Sequence, residues 1–150
     1  MPQSLSNVII HIVFSTKYRT PWLVKPVRER AHAYLASIVR DMGCECYRAG
    51  GVADHVHLAV RLSRTITIAQ LVEEVKTGSS KWMKTQGAEL KDFTWQRGYS
   101  AFSVYFREVD RLLAYIDGQE EHHRQRTFQE EYCELLVEHG VDFDERYVWD

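Results

Sequence analysis

The spacing of apolar residues switches between two periods along this chain, and the order of the switches limits its fold more than any other feature. Residues 7–16, NVIIHIVFST, are rich in β-branched and aromatic side chains and predict a buried strand. Residues 25–42 place Val27, Ala31, Tyr34, Leu35, Ile38 and Val39 at helical spacing, and Gly43 stops them. CECYRAG (44–50) alternates as a short strand, and Gly50 with Gly51 marks a turn. DHVHLAVRL (54–62) alternates with period two. After a cap at Thr67, Ile68, Leu71, Val72 and Val75 return to one helical face. FTWQRGYSAFSVYF (93–106) is aromatic and β-prone. The order β-α-β-β-α-β predicts an α/β (α+β) fold, a ferredoxin-like split βαβ antiparallel sheet. Its helices would cover one face and leave the other for a ligand. Two helices are added at the C-terminal end. One spans about 110–124, capped by Asp110, with Leu112, Leu113 and Ile116 inward. The last spans about 127–139, from Thr127 with a capping-box Glu130 to Gly140. An acidic, aromatic tail fills 140–150.

At 150 residues the chain suits a single domain, 1–150. No apolar run approaches the ~20 residues that cross a bilayer. The N-terminal stretch lacks a basic region and a small-residue cleavage site, so no signal peptide and no membrane partner are expected. Cys44, Cys46 and Cys133 lack zinc spacing and read as reduced thiols of a cytoplasmic protein. The net charge of −2 hides an asymmetry. Residues 1–107 hold 15 Lys/Arg against 8 Asp/Glu, whereas residues 108–150 hold 4 against 13. A basic body with an acidic C-terminal segment is compatible with a polyanionic partner.

In DHVHLAV the alternation puts Val56, Leu58 and Val60 on one face and His55, His57 and Ala59 on the other. Two imidazoles on one face can share a divalent ion, but two ligands are too few. The best further ligand lies in the helix after Asp110. Tyr115 and Gln119 are four residues apart and share a face beside the core-facing Leu112, Leu113 and Ile116. Gln119 offers a neutral carbonyl oxygen suited to a hard ion such as Mg²⁺ or Mn²⁺. His122 and His123 compete for the same role. Gly118, inside this helix, costs about 1 kcal/mol against Ala and permits flexing or a close approach. The set suits phosphodiester transfer. A phenol oxygen can attack phosphorus and form a phosphotyrosine link, while an ion polarises the scissile phosphate.

Several stretches, in order, resemble a known family: HIVFSTKYRTPWL, DHVHLAV, VKTGSSKW, WQRGYSAFSV and YIDGQEEHHR. They look like the single-strand DNA transposases of the one-tyrosine HUH class, encoded by small insertion sequences. HUH denotes His, a bulky apolar residue, His: here His55, Val56 and His57. The likeness spans about residues 8–139, and DERYVWD resembles the family's ending. It implies a ferredoxin-like sheet, and a homodimer whose active sites are shared between subunits. It implies that single-stranded DNA with subterminal hairpins is cut to a 5′-phosphotyrosine and a free 3′-OH, with Mg²⁺ or Mn²⁺. By position, Tyr115 would be the nucleophile and His55, His57 and Gln119 the metal ligands. The implied location is the prokaryotic cytoplasm, at the nucleoid.

Lys76, Lys81 and Lys84, interleaved with Ser79, Ser80 and Trp82, are placed to bind phosphates and stack on an unpaired base. Lys17, Arg19 and Arg97 would extend that basic surface, while Trp95 and Tyr99 read as packing aromatics. The alternative function is a non-catalytic or domesticated nucleic-acid-binding module on the same fold. Such a module needs exposed aromatics on its central strands, where this chain carries His55 and His57.

Overall fold

The computed structural model describes residues 2–150. Its strands are β1 (Ile9–Ser15), β2 (Glu45–Gly51), β3 (His55–Arg61) and β4 (Ser100–Val104). They form one sheet in the order β2-β3-β1-β4, antiparallel at every pairing. β1 and β3 are the central strands, which is why both read as nearly continuous apolar runs and are buried. α1 (Lys25–Asp41) leads from β1 to β2, and α2 (Ile68–Met83) leads from β3 to β4. This is the split βαβ arrangement that the periods predict. Local signals set the helix starts. Pro26 stands in the first turn of α1, and Thr67 closes a capping box with Gln70 at α2.

The main core lies between the sheet and these two helices. Ile10, Ile12 and Phe14 of β1 and Val56, Leu58 and Val60 of β3 pack against Leu35, Val39, Leu71 and Val75. The alternation then forces His11, Val13, His55 and His57 onto the opposite face. That face is not left open as expected. α3 (Val109–Asp117), α4 (Gln119–His122) and α5 (Phe128–Glu138) cover it. Val13 and Phe102 make the face partly apolar, and they are buried in a second cluster with Phe128, Leu135 and Leu136. Two exposed ion pairs, Lys25–Glu120 and Arg48–Asp117, each at 3.0 Å, join the basic body to the acidic segment. Exposed pairs of this kind contribute little individually.

Four boundaries depart from the sequence reading. Gly50 and Gly51 do not form the expected turn but end β2, paired with His57 and Val56. β4 begins only at Ser100, because Gly98 turns the chain at φ 82° and Trp95 pairs singly with Thr16. Glu108, not Asp110, precedes the tyrosine-bearing helix, and Asp110 sits in its first turn. That helix also stops at Gly118, so Tyr115 and Gln119 lie on separate helices, α3 and α4. α5 starts where expected, at Thr127 with Glu130 completing its capping box. The three cysteines are free thiols. Among the described residues no helix is long and apolar enough to cross a membrane.

α3 crosses β2 closely because position 50 carries no side chain. A Cβ on Gly50 would lie 2.5 Å from Ile116 Cγ2. Gly50→Ala is therefore expected to cost about 1–3 kcal/mol, the range for overpacking a tight contact. Urea unfolding would show it as a lowered midpoint at unchanged slope.

Candidate metal and nucleophile site

The site begins with how β3 holds its two imidazoles. His57 Nδ1 lies 2.7 Å from His11 Nε2 of the adjacent β1, and His55 Nδ1 lies 2.7 Å from Asp54 Oδ1. Each ring is thus gripped at Nδ1 and turns Nε2 toward the same point. Such outer partners fix the tautomer of a ligating histidine. Both rings are fully buried, and His57 Nε2 has no hydrogen-bond partner among the described residues. Burial, with His57 beside it, pushes the His11 imidazole down to about 3, and burial likewise lowers His57. Burial also opposes charge on His55, but hydrogen bonds to Asp54 and Glu131 outweigh it and raise that imidazole to about 9. An ion bound at Nε2 would have to displace that proton.

The helical half comes from α3 and α4. Gln119, 1 % exposed, receives the His55 Nε2 proton on Oε1 at 2.9 Å, and His123 Nε2 lies 3.0 Å from the same oxygen. Tyr115 stands edge-on to His57 and His11, with ring centroids 5.6 and 6.0 Å away. The residues expected as nucleophile and ligands, Tyr115, His55, His57 and Gln119, therefore meet within a single chain. The histidines weighed against Gln119 lie at the edge of the same cluster.

The sequence reading did not include Glu131 of α5, which occupies the centre. Its Oε1 lies 3.1 Å from His55 Nε2, 3.4 Å from His57 Nε2 and 2.9 Å from His123 Nε2. Its Oε2 accepts hydrogen bonds from the Tyr115 hydroxyl and, at 2.7 Å, from Gln119 Nε2. Burial opposes its ionisation, yet the bonds from His123 and His55 and the nearby His57 imidazole hold it well below the usual carboxylate range. Tyr115 moves the other way: burial and the Glu131 charge push its phenol well above the ordinary value. A signal for Glu131 existed. It shares a helical face with Phe128 and Leu135, both buried, so a charged residue stands where the period calls for an apolar one. His55, His57 and Glu131 form a donor set for a divalent ion, and the unpartnered His57 Nε2 is the atom such an ion would satisfy. Clefts flank the centre. One of about 720 Å³ is lined by Arg19, Arg28, Asp54, His123 and Arg126 among others, and one of about 390 Å³ by His11, Arg111, Tyr115 and His139 among others.

The candidate DNA contacts divide. Ser79 is buried, donates to Val75 O at 2.6 Å and receives the Trp95 indole N–H at 2.9 Å, so it serves packing and cannot reach a phosphate. Lys76 is tied to Gln96 O at 2.8 Å and lies over Phe14, and burial lowers its ammonium to about 8. Lys84 donates to Phe93 O at 2.9 Å, which ties the end of α2 to the following loop, and to Ser80 Oγ at 2.8 Å within its own helical turn. Lys76, Ser79 and Lys84 act first as internal ties, a role invisible in a charge pattern. Lys17 and Lys81 are exposed, and Arg19 stacks over Trp149 at the rim of the larger cleft.

The family model described as "Transposase IS200 like" matches residues 4–119, a stretch that runs from before β1 to Gln119. A solved structure described as a candidate transposase from Deinococcus radiodurans R1 is 24% identical. The match covers 79% of this chain and 98% of that one, with a TM-score of 0.64. A REP-associated tyrosine transposase bound to a REP hairpin is 14% identical, with coverage of 82% and 72% and a TM-score of 0.60. Both share the fold described above. No protein among the curated ones matches significantly.

Proposed function

The chain belongs to the IS200-like transposase family, and from that premise we propose that it cuts and rejoins single-stranded DNA through Tyr115. The observation that carries this reading is the convergence of the Tyr115 hydroxyl, two HUH imidazoles and Gln119 on one buried point. In the proposed step Tyr115 Oη attacks the scissile phosphorus. The Oη–P bond forms as the P–O3′ bond breaks, leaving a 5′-phosphotyrosine and a free 3′-OH. The phenol gives up one proton and the departing 3′ oxygen takes one up. Rejoining reverses these events, and since the phosphotyrosine keeps the bond energy, no nucleotide is consumed.

His55, His57 and Gln119 would hold the ion, Mg²⁺ or Mn²⁺. When bound, the ion supplies Lewis-acid polarisation of the phosphate. Burial and the Glu131 charge hold the phenol neutral, so attack needs added positive charge nearby, which a divalent ion would supply. His11 and Asp54 keep the two Nε2 atoms aimed inward, and α3 with α5 screens the centre from water. For DNA, Lys17, Arg19 and Lys81 are the cations best placed to meet a backbone, and the hairpin held by one structural neighbour supports a hairpin partner here. A homodimer is compatible with the site and would carry two copies of it. Exchange of α3 between subunits is not required to build one. The substrate implies a cytoplasmic location at the nucleoid.

The test uses single-stranded flanks of the protein's own locus. With Mn²⁺, a covalent adduct is expected on a denaturing gel, and chelation is expected to remove it while leaving the protein folded, with at most the modest drop in midpoint that loss of a bound ion brings. Absence of any adduct would sink the proposal. An adduct indifferent to chelation would sink its metal part.

A further inference from the structure

Glu131 lies outside the stretch that matches the family, yet it sits at the heart of the site. We infer that Glu131 couples ion to nucleophile: Oε1 is a metal ligand, while Oε2 holds the Tyr115 hydroxyl in place. The inference rests on the metal-assisted reading above.

Three observations support it. First, the donor spacing fits. Glu131 Oε1 lies 3.1, 3.4 and 2.9 Å from the Nε2 atoms of His55, His57 and His123, and Gln119 Oε1 lies 2.9 Å from His55 Nε2. Around a small octahedral ion, neighbouring ligand atoms stand about 3 Å apart. Second, the charge fits. His57 and Gln119 bring no negative charge to a divalent ion, and Glu131 supplies one from a side chain only 1 % exposed. In the structure the protonated His55 imidazole meets this buried carboxylate at 3.1 Å, a role that a bound ion would take over. Third, the two oxygens do different work. Oε1 faces the imidazoles, whereas Oε2 takes the phenol and the Gln119 amide. One rigid carboxylate thus spans the ion position and the attacking atom, which fixes the phenol relative to the ion.

The same geometry admits an opposing account. A carboxylate between imidazoles and phenol could be an anion standing where the scissile phosphate must enter, which makes α5 a plug. The accounts predict opposite results. In the full-length protein, Glu131→Gln is expected to weaken Mn²⁺ binding about tenfold or more, read by the EPR signal of free Mn²⁺. Adduct formation should fall and recover in part at raised Mn²⁺. Glu131→Asp keeps the charge but shortens the reach. It should bind Mn²⁺ more tightly than Glu131→Gln while losing adduct beyond what its metal occupancy explains. It also serves as the test should Glu131→Gln fail to fold by circular dichroism. Unchanged Mn²⁺ affinity, or adduct formation rising above wild type, overturns the inference. A wild-type protein that binds no Mn²⁺ at all overturns the metal reading itself, a distinguishable result.

Discussion

Tyr115→Phe is expected to leave no covalent protein–DNA adduct and to slow strand cleavage by on the order of 10⁴-fold or more, as removal of a nucleophile does elsewhere. The substitution is conservative in this setting. The phenyl ring keeps its edge contacts with His11 and His57. Glu131 Oε2 loses one donor but retains the Gln119 amide at 2.7 Å, so the buried carboxylate is not stranded. The stability cost should be about 1 kcal/mol, the usual net worth of one hydrogen bond. Hairpin binding should stay close to wild type, because the lost hydroxyl bonds the buried Glu131 and no residue of the basic rim. A gel-shift titration beside a denaturing gel separates the two effects. A full-strength adduct from this variant would falsify the assignment of Tyr115.

The second large effect concerns where a complete site is built. His57→Ala alone and Tyr115→Phe alone should each be inactive, and their mixture should stay inactive. The reason is that one chain brings the Tyr115 ring within 5.6 Å of the His57 ring and sets both against Glu131. If subunits exchanged α3, random pairing of the two variants would rebuild about a quarter of the sites. Adduct reappearing at that level on mixing would show exchange, the arrangement the family resemblance implies, and would overturn assembly within one chain. Circular dichroism of each variant before mixing guards against an unfolded partner.

Much of this architecture could be read from residue order. Period two in residues 54–62 separates Val56, Leu58 and Val60 from His55 and His57, and the structure keeps that division between the main core and the site. The four-residue step from Tyr115 to Gln119 also survives, even though Gly118 splits the helix between them. What could not be read depends on long-range contact. His11 looked like one more residue of an apolar strand until β1 paired with β3 and set it against His57. Glu131 reaches the centre only after α5 folds back over the sheet. Lys76, Ser79 and Lys84 carried the right chemistry for phosphate, but their partners are backbone carbonyls and Trp95, which no charge count reveals. The open sheet face was misjudged for a related reason: Val13 and Phe102 needed cover, and the chain's own last helices provide it.

The boundary at Gln119 has a consequence for how such a centre can change. The imidazoles, their outer partners His11 and Asp54, the tyrosine and the glutamine all lie within the stretch that matches the family. The carboxylate comes from beyond it, on a helix that opens at its own start signal, Thr127 with Glu130. α5 also buries Val13 and Phe102 of the sheet, but the register that aims the histidines is set by the pairing of β1 with β3. Drift confined to the C-terminal segment has a direct route into the chemistry. With Glu131 as an ion ligand, two chains with the same HUH strand could thus come to differ in ion preference through a helix that lies beyond the shared stretch.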